Sequence, residues 1–369
     1  MGTETSAAAN AAPAVTESRP AIRLADMGSL FFGGRVLRDE LGDTCHGDHG
    51  YAQYFVPEES RTLPLIMWHG LGQSGKTWES TPDGREGFWQ IFTRRNWSTY
   101  LIDQPRRGRA GRAIIDPHET DPAIPNLVSE ASTWETFRLG TWEPPGEPSF
   151  FPGLNFPTDP TSVDQFFRQQ TPNTGHEPFP DLEHRRFLAD AVSQLIDRVG
   201  PCVLMTHSMS GQYGWVTAMN RPGAVKAIVS LEPGEFSFPA SDLPGPIPTT
   251  LDLVQEFMAP QAMPDEQFDR LTEIPIVMIF GDNVASEPSD AFGAELWRMT
   301  DIRAQQFVDT VNRRGGRATI VRLPELGMLG NTHFPMTDFN NVAVADLISA
   351  YLSEHALDGS DNPHRGPAW

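Results

Sequence analysis

Residues 203–211, with the sequence VLMTHSMSG, decide the fold of this chain. An apolar strand pattern turns here through small residues into a helical segment. A serine at such a turn is a nucleophile elbow, in which only small residues fit two positions either side of the nucleophile. The usual GxSxG is THSMS at residues 206–210, so small hydroxyl residues replace both glycines. We interpret Ser208 as a candidate nucleophile, with a plain strand-to-helix turn as the alternative.

Short apolar runs like this one recur from residue 63 onward, and helical patterns separate several of them. This alternation predicts βαβ units, and near-continuous hydrophobicity predicts parallel strands buried on both faces. The clearest helical stripe runs from Leu188 to Ile196 and ends at Gly200, and another helix is predicted at 339–352. The fold class is therefore α/β, with a mostly parallel central sheet flanked by helices. The predicted strands are 63–68, 97–102, 202–206, 224–231, 274–280 and 318–323.

Length and charge limit the partners. The 369 residues include 28 Lys and Arg against 48 Asp and Glu, a net charge of -20, which argues against nucleic acid and anionic membranes. No apolar run approaches the roughly 18 residues of a membrane span. Residues 1–20 do not resemble a secretory signal, so we expect a soluble, cytoplasmic protein. The sequence is compatible with a homodimer. It leaves open whether Cys45 and Cys202 form a disulfide.

Two insertions interrupt the βαβ rhythm, at about 111–180 and 236–264. They contain 12 and 6 of the 33 prolines, and together 13 acidic and 3 basic residues, a net charge of -10. Long insertions in a compact domain are usually lids or binding loops. We expect their aromatic residues to line an apolar pocket over Ser208. The predicted organisation is a disordered tail at 1–22, a single domain at 23–357 with these cap insertions, and a C-terminal tail at 358–369.

A serine nucleophile needs a base and oxyanion donors, and candidates for both follow predicted strands. The sequence HGLG at residues 69–72 follows the first strand, so the Leu71 N–H can point at an oxyanion, with the Met209 N–H as second donor. His333 lies in a glycine-rich loop before the last helix, where a base would reach the nucleophile. The substrate-binding surface is assigned to His69, Gly70 and His207, with the two histidines expected to pack there rather than transfer protons.

These motifs resemble those of the α/β-hydrolase superfamily, and within it a family of bacterial non-lipolytic esterases. The blocks that carry the resemblance are WHGLGQ at 68–73, KTWESTPDGREGF at 76–88, DQPRRGRAG at 103–111, HSMSG at 207–211 and NTH at 331–333. The resemblance implies a Ser-His-Glu triad, with the acid after the fourth predicted strand at Glu232. Most α/β hydrolases place the acid one strand later, here at Asp282, and this alternative stays open. Either carboxylate can reach His333, because adjacent strand ends lie about 5 Å apart.

The function that these observations favour is hydrolysis of a carboxylic ester, or a lactone, through an acyl-enzyme intermediate. The acidic, aromatic cap is expected to select a neutral or cationic apolar substrate. This chemistry needs no metal or organic cofactor, and we expect none. An amide or carbon–carbon bond hydrolase would use the same triad, and a non-hydrolytic binding protein could keep the same pocket.

A P-loop nucleotide hydrolase is another alternative, because GLGQSGKT at residues 70–77 matches GxxxxGK[ST] after a strand. That function requires a helix starting at the Gly-Lys-Thr, whereas Pro82 and Gly84 follow closely. Two other clusters have structural interpretations. CHGDH at 45–49 is expected to be an exposed polar loop rather than a metal site. The arginines Arg106, Arg107 and Arg109 are expected to form salt bridges with nearby carboxylates.

Overall fold

An eight-stranded sheet lies at the centre of this computed structural model, which describes residues 20–111, 113–114, 129–175, 177 and 181–368. The strands in this part of the chain are β1 (Leu24–Arg38), β2 (Thr44–Pro57), β3 (Leu65–Trp68), β4 (Thr99–Asp103), β5 (Gly140–Thr141), β6 (Ser149–Phe150), β7 (Cys202–His207), β8 (Val225–Leu231), β9 (Ser237–Pro239), β10 (Gln261–Met263), β11 (Pro275–Phe280) and β12 (Arg317–Arg322). The α-helices are α1 (Phe88–Arg94), α2 (Glu130–Thr136), α3 (Pro160–Arg168), α4 (Leu182–Val199), α5 (Ser210–Asn220), α6 (Asp252–Phe257), α7 (Asp265–Phe268), α8 (Phe292–Arg313) and α9 (Asn341–Glu354).

The strand order is β1-β2-β4-β3-β7-β8-β11-β12. The last six strands in this order pair in parallel, and β2 joins them antiparallel through β4. All six predicted strands are present. Their central members, such as β7 and β11, are buried throughout, which is why their sequences show unbroken hydrophobicity rather than alternation. The predicted α/β class with a mostly parallel sheet is therefore confirmed.

The long antiparallel hairpin β1–β2 was not predicted, because its alternating burial gives no continuous apolar run. It also overturns the expectation of an exposed loop at 45–49, since these residues lie within β2. Asp48 is buried there and accepts hydrogen bonds from Arg35 and Arg106. Cys45 is exposed and Cys202 buried, and both are free thiols.

Helices cover both faces of the sheet. On one face α4 and α5 pack in a hydrophobic cluster that includes Leu188, Val192 and Leu195, as the apolar stripe predicted. On the other face α1 and α9 pack in a second cluster with Phe92 and Ile348. No helix in the described segments is long and apolar enough to cross a membrane.

Residues 358–368, expected to be a tail, pack against the domain. The His364 ring lies 2.7 Å from the Tyr100 hydroxyl, and the His364 carbonyl accepts from Ser60 Oγ. The predicted tail at 1–22 lies mostly outside the described residues, since only residues from 20 onward are described.

Several described aromatic residues of the first insertion belong to the core, and the expectation that the insertions line a pocket over Ser208 stays a prediction. Trp134, Phe137, Phe156 and Phe166 are all buried in the cluster that also contains Phe334. The insertion forms α2 and α3, and their apolar sides turn inward. In the second insertion Ile247, Val254 and Met258 pack on Met299 of α8. In both insertions, many of the described apolar residues therefore pack inside the protein.

Candidate active site

Ser208 lies directly after β7 with a backbone φ of 55°, in the left-handed region that side chains other than glycine rarely occupy. Hydrogen bonds hold this turn: the Ser208 N–H donates to the Leu231 carbonyl at 2.9 Å, and the Gly211 N–H donates to the Ser208 carbonyl at 2.9 Å. Strained backbone at a sharp strand-to-helix turn is the geometry of a nucleophile elbow. The serine is partly exposed.

The hydroxyl residues that replace the glycines of GxSxG form internal hydrogen bonds. Thr206 Oγ1 lies 2.7 Å from Ser230 Oγ on the neighbouring strand. Ser210 Oγ accepts from the His207 N–H at 2.9 Å and lies 2.9 Å from the Trp68 carbonyl. Since these buried hydroxyls are satisfied, the elbow tolerates them without an unpaired polar group.

Successive strand ends bring the candidate acids to the same edge of the sheet. The Glu232 N–H donates to the Ile279 carbonyl at 2.8 Å, and the Asp282 N–H donates to the Asn331 carbonyl at 2.9 Å. Glu232 also has a positive φ, of 50°, so the chain turns sharply after β8 as it does after β7. Backbone hydrogen bonds therefore connect the carboxyl ends of β7, β8 and β11, in that order, to the loop that carries His333.

Glu232 is the carboxylate that faces the histidine. Its Oε2 lies 3.5 Å from His333 Nδ1, and both side chains are fully buried. Its Oε1 accepts from Arg138 Nη2 at 2.5 Å and from the Gly281 N–H. At 3.5 Å the imidazole contact is longer than a normal hydrogen bond, as catalytic contacts often are without substrate.

The surroundings of this pair favour a charged Glu232 carboxylate and a neutral His333 imidazole. Burial would raise the pKa of Glu232, but the charge of Arg138 and the contact with His333 outweigh it and lower the pKa to about 2. Burial lowers the pKa of His333 below its ordinary value, Glu232 opposes this shift, and Arg138 adds to it. At neutral pH the pair is therefore an ionised carboxylate beside a neutral imidazole.

Asp282, the alternative acid, uses its carboxylate on the backbone. Oδ1 accepts from the Asn283 N–H and Oδ2 from the Gly330 N–H, each at 2.7 Å. These bonds hold the glycine-rich loop against the end of β11. The Asp282 carboxylate therefore binds backbone N–H groups and holds a loop in place, whereas the Glu232 carboxylate contacts His333.

Three groups fix the loop that carries His333. The His333 N–H donates to the Phe137 carbonyl at 3.1 Å, and its own carbonyl lies 2.7 Å from His207 Nε2. The fully buried carboxylate of Asp338 accepts from the Thr332 N–H, Thr332 Oγ1 and Asn331 Nδ2. The imidazole packs against aromatic rings, with ring centroids at 4.4 Å for Trp297 and 5.9 Å for Phe137.

The loop at 69–72 lies directly against the elbow. A Cβ on Gly70 would come within 2.8 Å of Ser208 Cβ and 3.0 Å of His207 Nδ1, so only glycine permits this approach. The Gln73 N–H donates to the Gly70 carbonyl, and Gly72 has a φ of 66°, which makes residues 70–73 a turn. Leu71 occupies the first central position, whose N–H takes no part in the turn's own hydrogen bond. Met209 precedes α5, so its N–H belongs to a helix N-terminus.

The two histidines assigned to the substrate-binding surface are buried. His69 Nε2 accepts from the Gln104 N–H at 3.3 Å, which leaves Nδ1 to donate to the Gly70 carbonyl at 2.9 Å. Burial and the nearby Arg107 lower the pKa of His69 to about 4. His207 contacts the His333 carbonyl and Gly70 in the same interior position. Both rings are therefore buried beside the elbow, and the assignment of His69 and His207 to a substrate-binding surface stays a prediction.

The P-loop alternative fails on its geometry. Residues 75–78 form only a single short 3-10 turn, and the first α-helix, α1, begins at Phe88, so no α-helix starts at Gly-Lys-Thr as a P-loop requires. Lys76 Nζ donates to the Ser80 carbonyl, and Thr77 Oγ1 donates to Gln73 Oε1. Asp103, at the end of β4, accepts from the Gly75 N–H and braces the loop.

The salt-bridge prediction for the arginine cluster is confirmed. Arg106 pairs with Asp48, Arg107 with Glu177 and Arg109 with Asp103. Among the described residues, no cluster of three or more His, Cys, Asp or Glu side chains could hold a metal ion.

Sequence reasoning missed Arg138, Trp297 and Asp338, which touch the candidate triad or its loop. Arg138 follows α2 in the first insertion, about 90 residues before Glu232 in the chain. Nothing in its local sequence, FRLG, distinguishes it from a surface arginine. Only the packing of the insertion on the end of the sheet brings it to the site.

The chain is similar to known proteins over most of its length. The chain is similar to a bacterial esterase of known structure, at 29% identity and a TM-score of 0.72, covering 91% of this chain and 98% of that one. It is also 27% identical over 340 residues to a probable secreted lipase, PhiG, of a fungal species (strain ATCC 74256), covering 82% of this chain and 85% of the lipase. No model of a protein family matches the chain.

Proposed function

We propose that this chain, which has the α/β-hydrolase fold, is a serine hydrolase of carboxylic esters. The observation that carries the proposal is the buried contact of 3.5 Å between Glu232 Oε2 and His333 Nδ1, at the sheet edge that also bears the strained Ser208 turn. The similarity to a bacterial esterase and a probable secreted lipase supports ester rather than amide hydrolysis. A lactone, as an internal ester, is the second choice of substrate.

In the proposed mechanism Ser208 Oγ attacks the ester carbonyl while His333 takes its proton and later delivers it to the leaving alcohol. Glu232 holds the Nδ1–H tautomer of His333, so that Nε2 is free to act as base, and it stabilises the imidazolium that forms. The Leu71 and Met209 N–H groups bind the oxyanion, and the close approach of Gly70 to Ser208 supports this assignment. A water molecule that loses its proton to His333 then attacks the carbonyl of the acyl-enzyme, and the acid leaves as the bond to Ser208 Oγ breaks.

The proposal is tested by incubating the protein with short-chain nitrophenyl esters and, separately, with a fluorophosphonate probe. We expect turnover, a burst of nitrophenol on mixing, and labelling of one serine per chain. A protein that binds such esters but neither turns them over nor reacts with the probe would instead be a non-hydrolytic binding protein on this fold. The variants that assign the residues are considered in the Discussion.

The pH dependence follows from the buried imidazole. His333 must be neutral to accept the Ser208 proton, and burial with Arg138 lowers its pKa below the ordinary 6.5. Activity is lost only as pH falls through this lowered pKa, so we expect the acid limb of kcat/KM to have its midpoint below pH 6.5. A pH–rate profile with a neutral ester checks this, and a midpoint above that value would contradict it.

The charge of the insertions supports a preference among substrates. They carry a net charge of -10, and several of their described acidic residues, including Glu130, Glu143, Asp164 and Asp252, are exposed. A negative field repels anionic substrates and weakens with salt. We therefore expect kcat/KM for a neutral or cationic apolar ester to exceed that for a size-matched dianionic ester by about tenfold at low salt, with the ratio narrowing as salt rises. A preference for the dianion would contradict this.

A further inference from the structure

Arg138 is a buried arginine that donates a hydrogen bond to Glu232 of the candidate triad. Its side chain is 2% exposed, Nη2 donates to Glu232 Oε1 at 2.5 Å, and Nε donates to the Asp282 carbonyl at 2.8 Å. The guanidinium carbon lies 4.8 Å from the centre of the Trp297 ring, whose other contacts include His333 at 4.4 Å. The guanidinium therefore contacts both candidate acid residues, Glu232 after β8 and Asp282 after β11.

The backbone of the same turn holds the histidine. Arg138 has a φ of 56°, which ends α2 and reverses the chain. The preceding residue, Phe137, accepts the His333 N–H through its carbonyl. Two consecutive residues of the first insertion thus hold His333 by its backbone and Glu232 by its carboxylate. An insertion that merely covered the site would make neither contact.

We propose that Arg138 is a positioning residue for the triad: by holding Oε1 of Glu232 it keeps Oε2 on His333, and its charge sets how readily the Glu232–His333 pair binds a proton. The inference rests on the proposed function. Removing a nearby cation makes the pair bind a proton more readily, whichever of the two side chains carries it, because the pair titrates as one unit.

The other groups around the pair can also affect its titration. His207 lies with its ring 4.7 Å from that of His333, and burial keeps its pKa well below the ordinary value, so it is neutral. Asp338 anchors the His333 loop, and burial raises its pKa to about 7 although its hydrogen bonds oppose this shift. The carboxylate of Asp282 binds the Asn283 and Gly330 N–H groups. Arg138 is a cation in direct contact with Glu232.

The test compares pH profiles of kcat/KM for wild type, Arg138→Met and Arg138→Lys. Without the charge in Arg138→Met, we expect the acid limb to move up by about one pH unit, together with a fall in kcat of about 10- to 100-fold from misplacement of the triad. Arg138→Lys keeps the charge but not the planar fork, so the limb should stay at the wild-type position while kcat falls. This separation of charge from geometry is not expected of a residue that only stabilises the fold.

Arg185→Met is the matched control, because Arg185 is also buried and pairs with a buried glutamate, Glu235, outside the triad. We expect it to lower the melting temperature and leave the limb in place. Should Arg138→Met fail to fold, Arg138→Gln still donates a hydrogen bond but lacks the charge, and the same shift is expected. If neither uncharged variant folds, the position of the limb in Arg138→Lys decides, and a shift there overturns the inference.

The outcomes separate this inference from the proposed function. An active wild type whose limb stays in place in the uncharged variants overturns the role of Arg138 alone. A folded wild type without ester turnover overturns the proposed function, and this inference with it.

Discussion

Ser208→Ala is expected to lower kcat on nitrophenyl esters by about 10⁵-fold or more and to abolish labelling by a fluorophosphonate. The change removes the only atom that attacks the carbonyl in the proposed mechanism and leaves the binding surface in place. The fold should tolerate it, because alanine occupies less space beside Gly70 and the hydrogen bonds of the turn are made by the backbone.

The control is Ser353→Ala, at an exposed position in the last turn of α9. It should keep both turnover and labelling. Mass spectrometry of the labelled wild type should find the probe on the peptide that contains Ser208. Turnover and labelling that both survive Ser208→Ala would assign the nucleophile elsewhere.

Glu232→Gln is expected to lower kcat by about 10⁴-fold, because an amide nitrogen facing Nδ1 favours the wrong tautomer of His333. With the proton on Nε2, the imidazole cannot accept the proton of Ser208. The substitution also leaves the Arg138 guanidinium buried without its carboxylate, which costs about 3–5 kcal/mol of stability. Activity should therefore be measured at a temperature where circular dichroism shows the variant to be folded.

Asp282→Asn is the comparison that assigns the acid. Its carboxylate accepts two backbone N–H groups, and asparagine retains an acceptor for one of them. We expect a loss of about 1–2 kcal/mol in stability, from the loosened loop at Gly330, and a fall in kcat of no more than about tenfold. The opposite ranking of the two variants would make Asp282 the acid of the triad.

Local sequence determined the frame of this protein. Five of the six predicted parallel strands are almost fully buried, so they need apolar residues on both faces, whereas β12 at the end of the sheet is partly exposed. The Ser208 turn was recognised without its usual glycines because the steric requirement for small residues acts over only five positions. The hairpin β1–β2 escaped prediction, since a strand with one exposed face shows weaker hydrophobicity, and half of its residues are polar or glycine.

The candidate site depended in part on contacts that no local pattern encodes. Spacing left Glu232 and Asp282 as equal neighbours of His333, and the resemblance favoured Glu232. The structure distinguishes their contacts: two backbone N–H groups bind the Asp282 carboxylate, whereas Arg138 and Gly281 bind one Glu232 oxygen and leave the other facing the imidazole.

The first insertion shows the same division most clearly. Its prolines, aromatic residues and negative charge predicted a cap that lines a pocket, from composition alone. Tertiary packing buries Trp134, Phe137 and Phe166 in the core and brings Arg138 against Glu232. A chain fixes its strands and turns through interactions between near neighbours. The environment of a buried charge depends on which distant segments the fold brings against it, and only the tertiary structure decided that.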